Sequence, residues 1–343
     1  MNIIDFKGAK CKHCYKCVRY CDVKAIMIKN ERAEIIPEKC VLCGHCLQVC
    51  PQSAKTLVSD LDKVQYMIHR GETVIASIAP SYMGLLNYNS LGQVNAALRK
   101  LGFADVRETS EGAAFVTAEY NLVPYMAPVV SPMVAHGMIL RKEYGPDARI
   151  VFIGPCIAKK KEAADPRHPG YINAVLNFND IKKWLSEEEI TISDCEDIPF
   201  EKLDPKVNRL YPVPSGVMSS VLASEKKVDQ YKKFYVHGTA NCMELCESMV
   251  RGEISGCFIE MNMCAGGCIK GPTEMAEGLS FRKVFEDKSP DDPMPTEEQI
   301  QQILRMIGKN KPEDELNCSA CGYPTCRDKA IAVFQKKAEL TMC

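Results

Sequence analysis

The stretch FIEMNMCAGGCIKGP, residues 258–272, decides how this chain is read. It places Cys264 and Cys268 four residues apart among three glycines, with a closing proline. An apolar run ending on a cysteine reads as a strand that delivers a thiol to its carboxyl end, where α/β domains build their sites. RIVFIGPC, residues 149–156, repeats the arrangement, an apolar strand ending at Cys156. Around these two junctions, DLDKVQYMIHRG (60–71) reads as a helix with Asp60 as cap and Gly71 as stop. TVIASIA (73–79) reads as a buried strand and LGQVNAALRKLG (91–102) as a helix. KFYVHG (233–238) is a further strand and TANCMELCESMVRG (239–252) a further helix. Alternating strands and helices predict an α/β domain over residues 59–285.

The 343 residues are 46% hydrophobic and can supply more than one core. The net charge of −1 gives no reason to expect nucleic acid or an anionic membrane surface as partner. No run approaches the roughly 18 apolar residues of a membrane span, and MNIIDFKGAK is not a signal peptide. A cytoplasmic, anaerobic setting is therefore expected. The 19 cysteines are odd in number and fall in spaced groups, which points to metal or cluster ligation and away from a disulfide scaffold.

Residues 1–58 carry CKHCYKCVRYC and CVLCGHCLQVCP, joined by AIMIKNERAEII, which reads as a hairpin turning at Asn30–Glu31. Both runs have C-x2-C-x2-C-x3-C spacing. In the two-cluster ferredoxin arrangement the fourth cysteine of each run serves the other cluster. Cys11, Cys14, Cys17 and Cys50 would then hold one 4Fe-4S cluster, and Cys40, Cys43, Cys46 and Cys21 the second. Paired zinc sites are the competing reading of C-x2-C pairs. Pro51 follows Cys50, whereas Asp22 stands where the pattern has a proline after Cys21. Residues 286–310 read as a proline-rich linker and a helix started by Thr296 with Glu298. Residues 311–343 resemble a small helical 4Fe-4S module of anaerobic redox and corrinoid proteins. The resemblance assigns Cys318, Cys321, Cys326 and Cys343 as its ligands, with zinc again the alternative. A module that stops on an apparent ligand is expected to belong to a longer natural chain.

FIGPCIAKKKEA (152–163) and FIEMNMCAGGCIKGP, behind a two-cluster ferredoxin, resemble the second and third signatures of the FeFe-hydrogenases. The resemblance implies a hydrogenase-like α/β domain between an α+β ferredoxin domain and the C-terminal module. It implies a 4Fe-4S cluster held by Cys156, Cys264 and Cys268, with Cys268 bridging to a diiron centre that exchanges electrons with protons and H2. Lys159 would donate to a cyanide on that centre, and Glu260 matches the glutamate at the start of the third signature. Gly266, Gly267 and Gly271 would let the backbone approach the metal.

The chain also departs from the family. No cysteine lies between Cys50 and Cys156, so the first signature is missing, as though a unit were absent between Asn121 and Leu122. Asn262 and Gly154 replace methionines of catalytic members and resemble the sensory relatives. Cys195, Cys242, Cys246 and Cys257 are spare, and read as small buried hydrophobes. His136 and His237, and Met126, Met133 and Met138, read as core residues rather than a proton relay or gas path. Glu119 matches a proton-path glutamate of the family. Lys160 and Lys161 read as a solvated charge run beside Lys159. No dinucleotide fingerprint, P-loop or catalytic triad is present.

The expectation is an iron–sulfur redox protein that relays electrons, or a hydrogen signal, to a redox partner or downstream signalling domain. The absent first signature argues against catalysis. The alternative is an active or sensory hydrogenase, with Cys268 and Lys159 at its diiron centre.

Overall fold

Ile3 and Ile4, with Ile157 from far along the chain, form a buried apolar cluster that joins the N-terminal domain to the rest. This computed structural model describes residues 3–29, 32–112, 130–202, 206–224, 231–269, 271, 295–315, 325–334 and 340. Two compact units are distinguished, Met1–Glu277 and Gly278–Cys343. Within the first, the N-terminal domain is built as two similar halves. β1 (Ile4–Phe6) pairs antiparallel with β4 (Lys55–Leu57), and β2 (Ile26–Lys29) with β3 (Arg32–Ile35). Each cysteine run feeds one helical turn, Lys16–Arg19 or His45–Gln48. Left-handed residues fall at matching places in both halves: His13 and Leu42, Tyr15 and Gly44, Lys24 and Ser53.

The central sheet has the order β6-β5-β7-β8 and is parallel throughout: β5 (Val74–Ile78), β6 (Asp105–Glu108), β7 (Arg149–Ile153) and β8 (Ala174–Leu176). β5, β7 and β8 are largely apolar on both faces because both are covered, whereas β6 buries Asp105, Arg107 and Glu108 beside Val106. Val74, Ala76, Ile78, Val151 and Ile153 face a core shared with helices Leu61–His69, Leu91–Lys100 and Phe178–Glu187. Ile75, Ile150, Phe152 and Val175 face the helix Pro132–Tyr144. Ser77, polar and fully buried, is satisfied by Thr109 Oγ1 at 2.9 Å and His136 Nδ1 at 2.8 Å. The chain leaves β5 for β6 on one side and returns to β7 on the other, so the carboxyl ends of these strands form a topological switch point. A second parallel pair, β9 (Lys232–His237) and β10 (Cys257–Asn262), carries the helix Thr239–Val250 between its strands.

In the second unit Ile300 and Leu304, on the helix Glu297–Met306, pack against Cys326 and Ala330 on the helix Cys326–Phe334. Among the described residues no helix is long and apolar enough to cross a membrane.

Several expectations need correction. Asp60 does not cap its helix: the Leu61 N–H donates to Ser59 Oγ instead, at 3.0 Å. The Asp60 carboxylate pairs with Lys160 Nζ at 3.0 Å and accepts the Val175 N–H at 2.9 Å. Lys160 is thus buried rather than solvated, because the helix Ala158–Ala163 turns it onto β8, where Nζ also donates to the Val175 carbonyl. Lys161 is exposed. Thr296 forms its capping box with Gln299, three residues on, and not with Glu298. Cys195 and Cys242 are buried as expected, but Cys246 is exposed, and Cys257 opens β10 with its thiol on the Ser255 carbonyl at 3.1 Å. Glu119, Met126 and the join at Asn121 and Leu122 lie outside the described residues, as do Cys318, Cys321, Cys343 and most of the linker.

The Asp60–Lys160 pair separates two costs. Asp60→Ala should lower the unfolding free energy by about 3–5 kcal/mol, the cost of stranding a buried charge. Loss of a helix cap alone would cost about 1 kcal/mol. Urea unfolding of the variant and its parent measures the difference.

Candidate metal centre

Cys156 follows β7 through Gly154 and Pro155, and Cys264 and Cys268 follow β10, so three thiols emerge from the carboxyl ends of two parallel sheets. Two glycines bring the ends together. A side chain at Gly271 would collide with the Pro155 carbonyl, so the loop after β10 lies against the residue before Cys156. One at Gly267 would collide with the Pro212 carbonyl, which accepts the Cys268 N–H at 2.7 Å. Both glycines have positive φ, +59° and +88°. The close approach expected toward metal is therefore, at these two positions, an approach to protein backbone. Gly266, at φ +81°, meets nothing within 4 Å and donates its N–H to His237 Nδ1 at 3.3 Å. His237 thus serves the loop rather than a core.

The thiols share one electrostatic environment. Burial pushes Cys264 up to about 11, and Cys156 and Cys43 add to the effect. Cys268 retains solvent contact at its surface but lies deep among protein atoms; that depth, with Cys156 and Cys264, pushes it up to about 12 against the pull of Lys159. Burial opposes the charge on Lys159, yet Glu162, Cys156 and Cys268 hold its pKa above the usual lysine range. Its Nζ bonds Glu162 Oε2 at 2.6 Å. Glu260 is buried and accepts the Met218 N–H and the Asn262 side-chain amide, both at 2.8 Å. Burial raises the Glu260 pKa despite these donors. Asn262 Oδ1 in turn lies 3.7 Å from Cys268 Sγ. Neither Asn262 nor Glu260 touches solvent appreciably, so a polar chain runs from Met218 to the Cys268 thiol.

The N-terminal thiols are also grouped. Cys21, Cys40, Cys43 and Cys46, the set assigned to the second cluster, line one small cavity with Ile26. Burial pushes Cys46 up to about 12, with Lys55 opposing and Cys43, Cys40 and Cys17 adding. Of the first set, Cys17 accepts from Lys55 Nζ at 3.4 Å, Cys50 from the Ala54 N–H at 3.3 Å, and Cys14 lies 3.8 Å from Gln52 Oε1. Cys11 is half-buried. In the second unit Cys326 is buried. Among the described residues no three His, Cys, Asp or Glu side chains converge to hold a single metal ion.

The donor sets fit iron–sulfur clusters in kind: every assigned ligand is a thiol, and four of them line one cavity. At the main-sheet end, the fully buried Ser81 hydroxyl has no hydrogen-bond partner among the described residues. It follows Ala79, whose Cβ a side chain on Gly154 would approach to 3.2 Å. Sequence reading missed Ser81, and no spacing marks it. It also missed Glu108 and Arg209, a buried pair with both nitrogen–oxygen distances at 2.8 Å.

Comparison with known proteins bears on family and fold. The profile of the iron only hydrogenase large subunit, C-terminal domain, matches residues 72–121 and 118–272, more than half of the chain. A 4Fe-4S dicluster domain matches residues 10–54, and an Fe-S cluster profile matches 314–343. The periplasmic [Fe] hydrogenase large subunit of Nitratidesulfovibrio vulgaris is 25% identical over 365 residues, covering 79% of this chain and 86% of its own. Iron hydrogenase 1 of Clostridium pasteurianum is 23% identical over 364 residues; the match covers 76% of this chain but only 63% of that relative. A solved structure described as revealing stepwise [FeFe]-hydrogenase H-cluster assembly in HydA(deltaEFG) superposes with a TM-score of 0.52. It is 15% identical and covers 67% of this chain and 87% of that one, a likeness of fold.

Gly271→Ala should open the contact with Pro155 and separate Cys264 and Cys268 from Cys156. If these thiols bind iron, the expected outcome is its loss, with N-terminal iron and sulfide retained, read by metal analysis and by EPR of the reduced protein.

Proposed function

Since the chain belongs to the iron-only hydrogenase large-subunit family, we propose that it is a redox protein carrying electrons between a metal site at Cys156, Cys264 and Cys268 and a partner protein or downstream domain. The observation that carries this reading is the junction of the two domains. Cys43, assigned to the second N-terminal cluster, lies close enough to Cys264 for their charges to interact. Ile157, the residue after Cys156, is buried with Ile3 and Ile4 and packs beside Leu42 and Cys46. The seat of one cluster therefore adjoins the seat of the next, as an electron path requires.

Cys156, Cys264 and Cys268 would hold a 4Fe-4S cluster, and Cys11, Cys14, Cys17, Cys50, Cys40, Cys43, Cys46 and Cys21 the two relay clusters. Clusters in these seats supply one-electron storage. Asn262, held by Glu260, orients a polar group at Cys268. The apolar residues around Ile157 keep water from the junction. Cys326, with Cys318, Cys321 and Cys343, would hold the C-terminal cluster. Compartment and partner follow the expectation from sequence: a cytoplasmic protein with a redox partner.

A second reading is favoured by Lys159. Its charge is held beside both Cys156 and Cys268, where an anionic diiron centre bridged through Cys268 would need a donor. A diiron unit, when bound, supplies hydrogen-forming and hydrogen-splitting chemistry, and the protein would be an active or sensory hydrogenase.

Infrared spectroscopy after exposure to diiron maturation machinery separates the two. The relay reading expects no bands from metal-bound CO or cyanide, beside full iron and sulfide content. Such bands would overturn it in favour of the hydrogenase.

A further inference from the structure

The N-terminal halves repeat with a spacing of 29 residues: Cys11 and Cys40, Cys14 and Cys43, Cys17 and Cys46, Cys21 and Cys50. The agreement continues past the last cysteine. The Ala25 N–H donates to Cys21 Sγ at 3.2 Å, and its mate the Ala54 N–H donates to Cys50 Sγ at 3.3 Å. At the next position Ile26 in one half stands where Lys55 stands in the other. Both side chains are buried, at 8% and 4% exposure, so this is not a surface variation.

The two residues serve different thiols. Ile26 lines the small cavity formed by Cys21, Cys40, Cys43 and Cys46. Lys55 Nζ donates to Cys17 Sγ at 3.4 Å and stands 4.8 Å from the centre of the Phe6 ring. No carboxylate among the described residues pairs with it. Its charge is also felt at Cys46, but its hydrogen bond goes to Cys17.

A buried ammonium costs free energy unless it faces negative charge. A thiolate-bound cluster supplies that charge, and supplies more of it when reduced. Potentials of such clusters follow net charge, hydrogen bonds to sulfur and solvent exposure. The backbone donors at Ala25 and Ala54 are matched between the halves and the ammonium is not; Cys14 is also more exposed than its mate Cys43, which acts in the same direction.

We propose that Lys55 makes the cluster carrying Cys17 the higher-potential one of the N-terminal pair, so that an electron in this domain rests there and not on the cluster carrying Cys43. This deepens the relay reading and rests on it. The step is a one-electron transfer: the cluster carrying Cys43 is oxidised, the cluster carrying Cys17 is reduced, and no bond or proton moves. Cys43 is the N-terminal thiol whose charge reaches Cys264. The domain is therefore biased to draw electrons away from the metal site at Cys156, Cys264 and Cys268, and works against feeding it. That direction suits oxidation or sensing of a reductant at that site.

The test is an EPR-monitored redox titration of the full chain, purified anaerobically, in the parent and in Lys55→Ile, Lys55→Arg and Ile26→Lys variants. Two resolved N-terminal midpoints are expected in the parent. Lys55→Ile should shift the upper one to lower potential and narrow the gap, whereas Lys55→Arg should preserve it. Ile26→Lys should raise the lower midpoint, and this holds whether or not Lys55→Ile retains its clusters. Midpoints that Lys55→Ile leaves in place, a shift confined to the lower one, or coincident midpoints in the parent would overturn the proposal. Failure of the underlying relay reading looks different: iron and sulfide too low for two N-terminal clusters, with no reduced-cluster signal to titrate.

Discussion

The buried pair of Glu108 and Arg209 is the constraint on which the metal centre depends. Glu108 ends β6, is fully buried, and also accepts from Ser110 Oγ at 2.6 Å and the Tyr82 hydroxyl at 3.2 Å. Arg209 comes from the short helix Lys206–Arg209, and its guanidinium also reaches the Tyr82 hydroxyl at 3.4 Å. Three residues later Pro212 accepts the Cys268 N–H, and Met218, on the helix that follows, donates to Glu260. The loop that carries Cys264 and Cys268 is thus tied to a segment that a bidentate ion pair holds to the sheet, in addition to its own contact with Pro155. A buried pair of this kind contributes little net stability against a hydrophobic replacement, but losing one partner is costly. Its value here is placement: it holds two parallel sheets in the relation that lets Cys156 meet Cys264.

Much of this was legible in the sequence because it is written in local spacing. The cysteine runs give the ferredoxin halves, and continuous apolar stretches such as TVIASIA give strands covered on both faces. Cys156 and Cys264 follow strand ends as their position after RIVFI and CFIEMN implies. What was missed depends on partners distant in the chain. Asp60 looked like a helix cap because caps are local, while its partner Lys160 lies a hundred residues away in what looked like a solvated run. Cys257 and Cys246 looked apolar by residue type, yet Cys257 is only half-buried and Cys246 is exposed one helical turn beyond buried Cys242. Nothing in the sequence marked Lys55, since the two halves differ at several positions after their last cysteines. Its meaning needed the structure, which puts its ammonium on Cys17.

The electrostatics of the thiols bear on which chemistry these cysteines can do. Reactive cysteines are held as thiolates by a depressed pKa. Cys46, Cys264 and Cys268 are pushed the other way, up to about 12, 11 and 12, with burial as the leading cause in each. Burial thus favours the neutral thiol at these positions, the opposite of what an activated nucleophile needs. A metal ligand differs, because the metal itself displaces the proton, and an apolar seat then strengthens the field around the bound group. The seats are shaped by backbone contacts that exist without metal, Gly271 on Pro155 and the Cys268 N–H on Pro212. The fold therefore sets the spacing of the thiols first, and leaves to the metal the one step the protein disfavours, their ionisation.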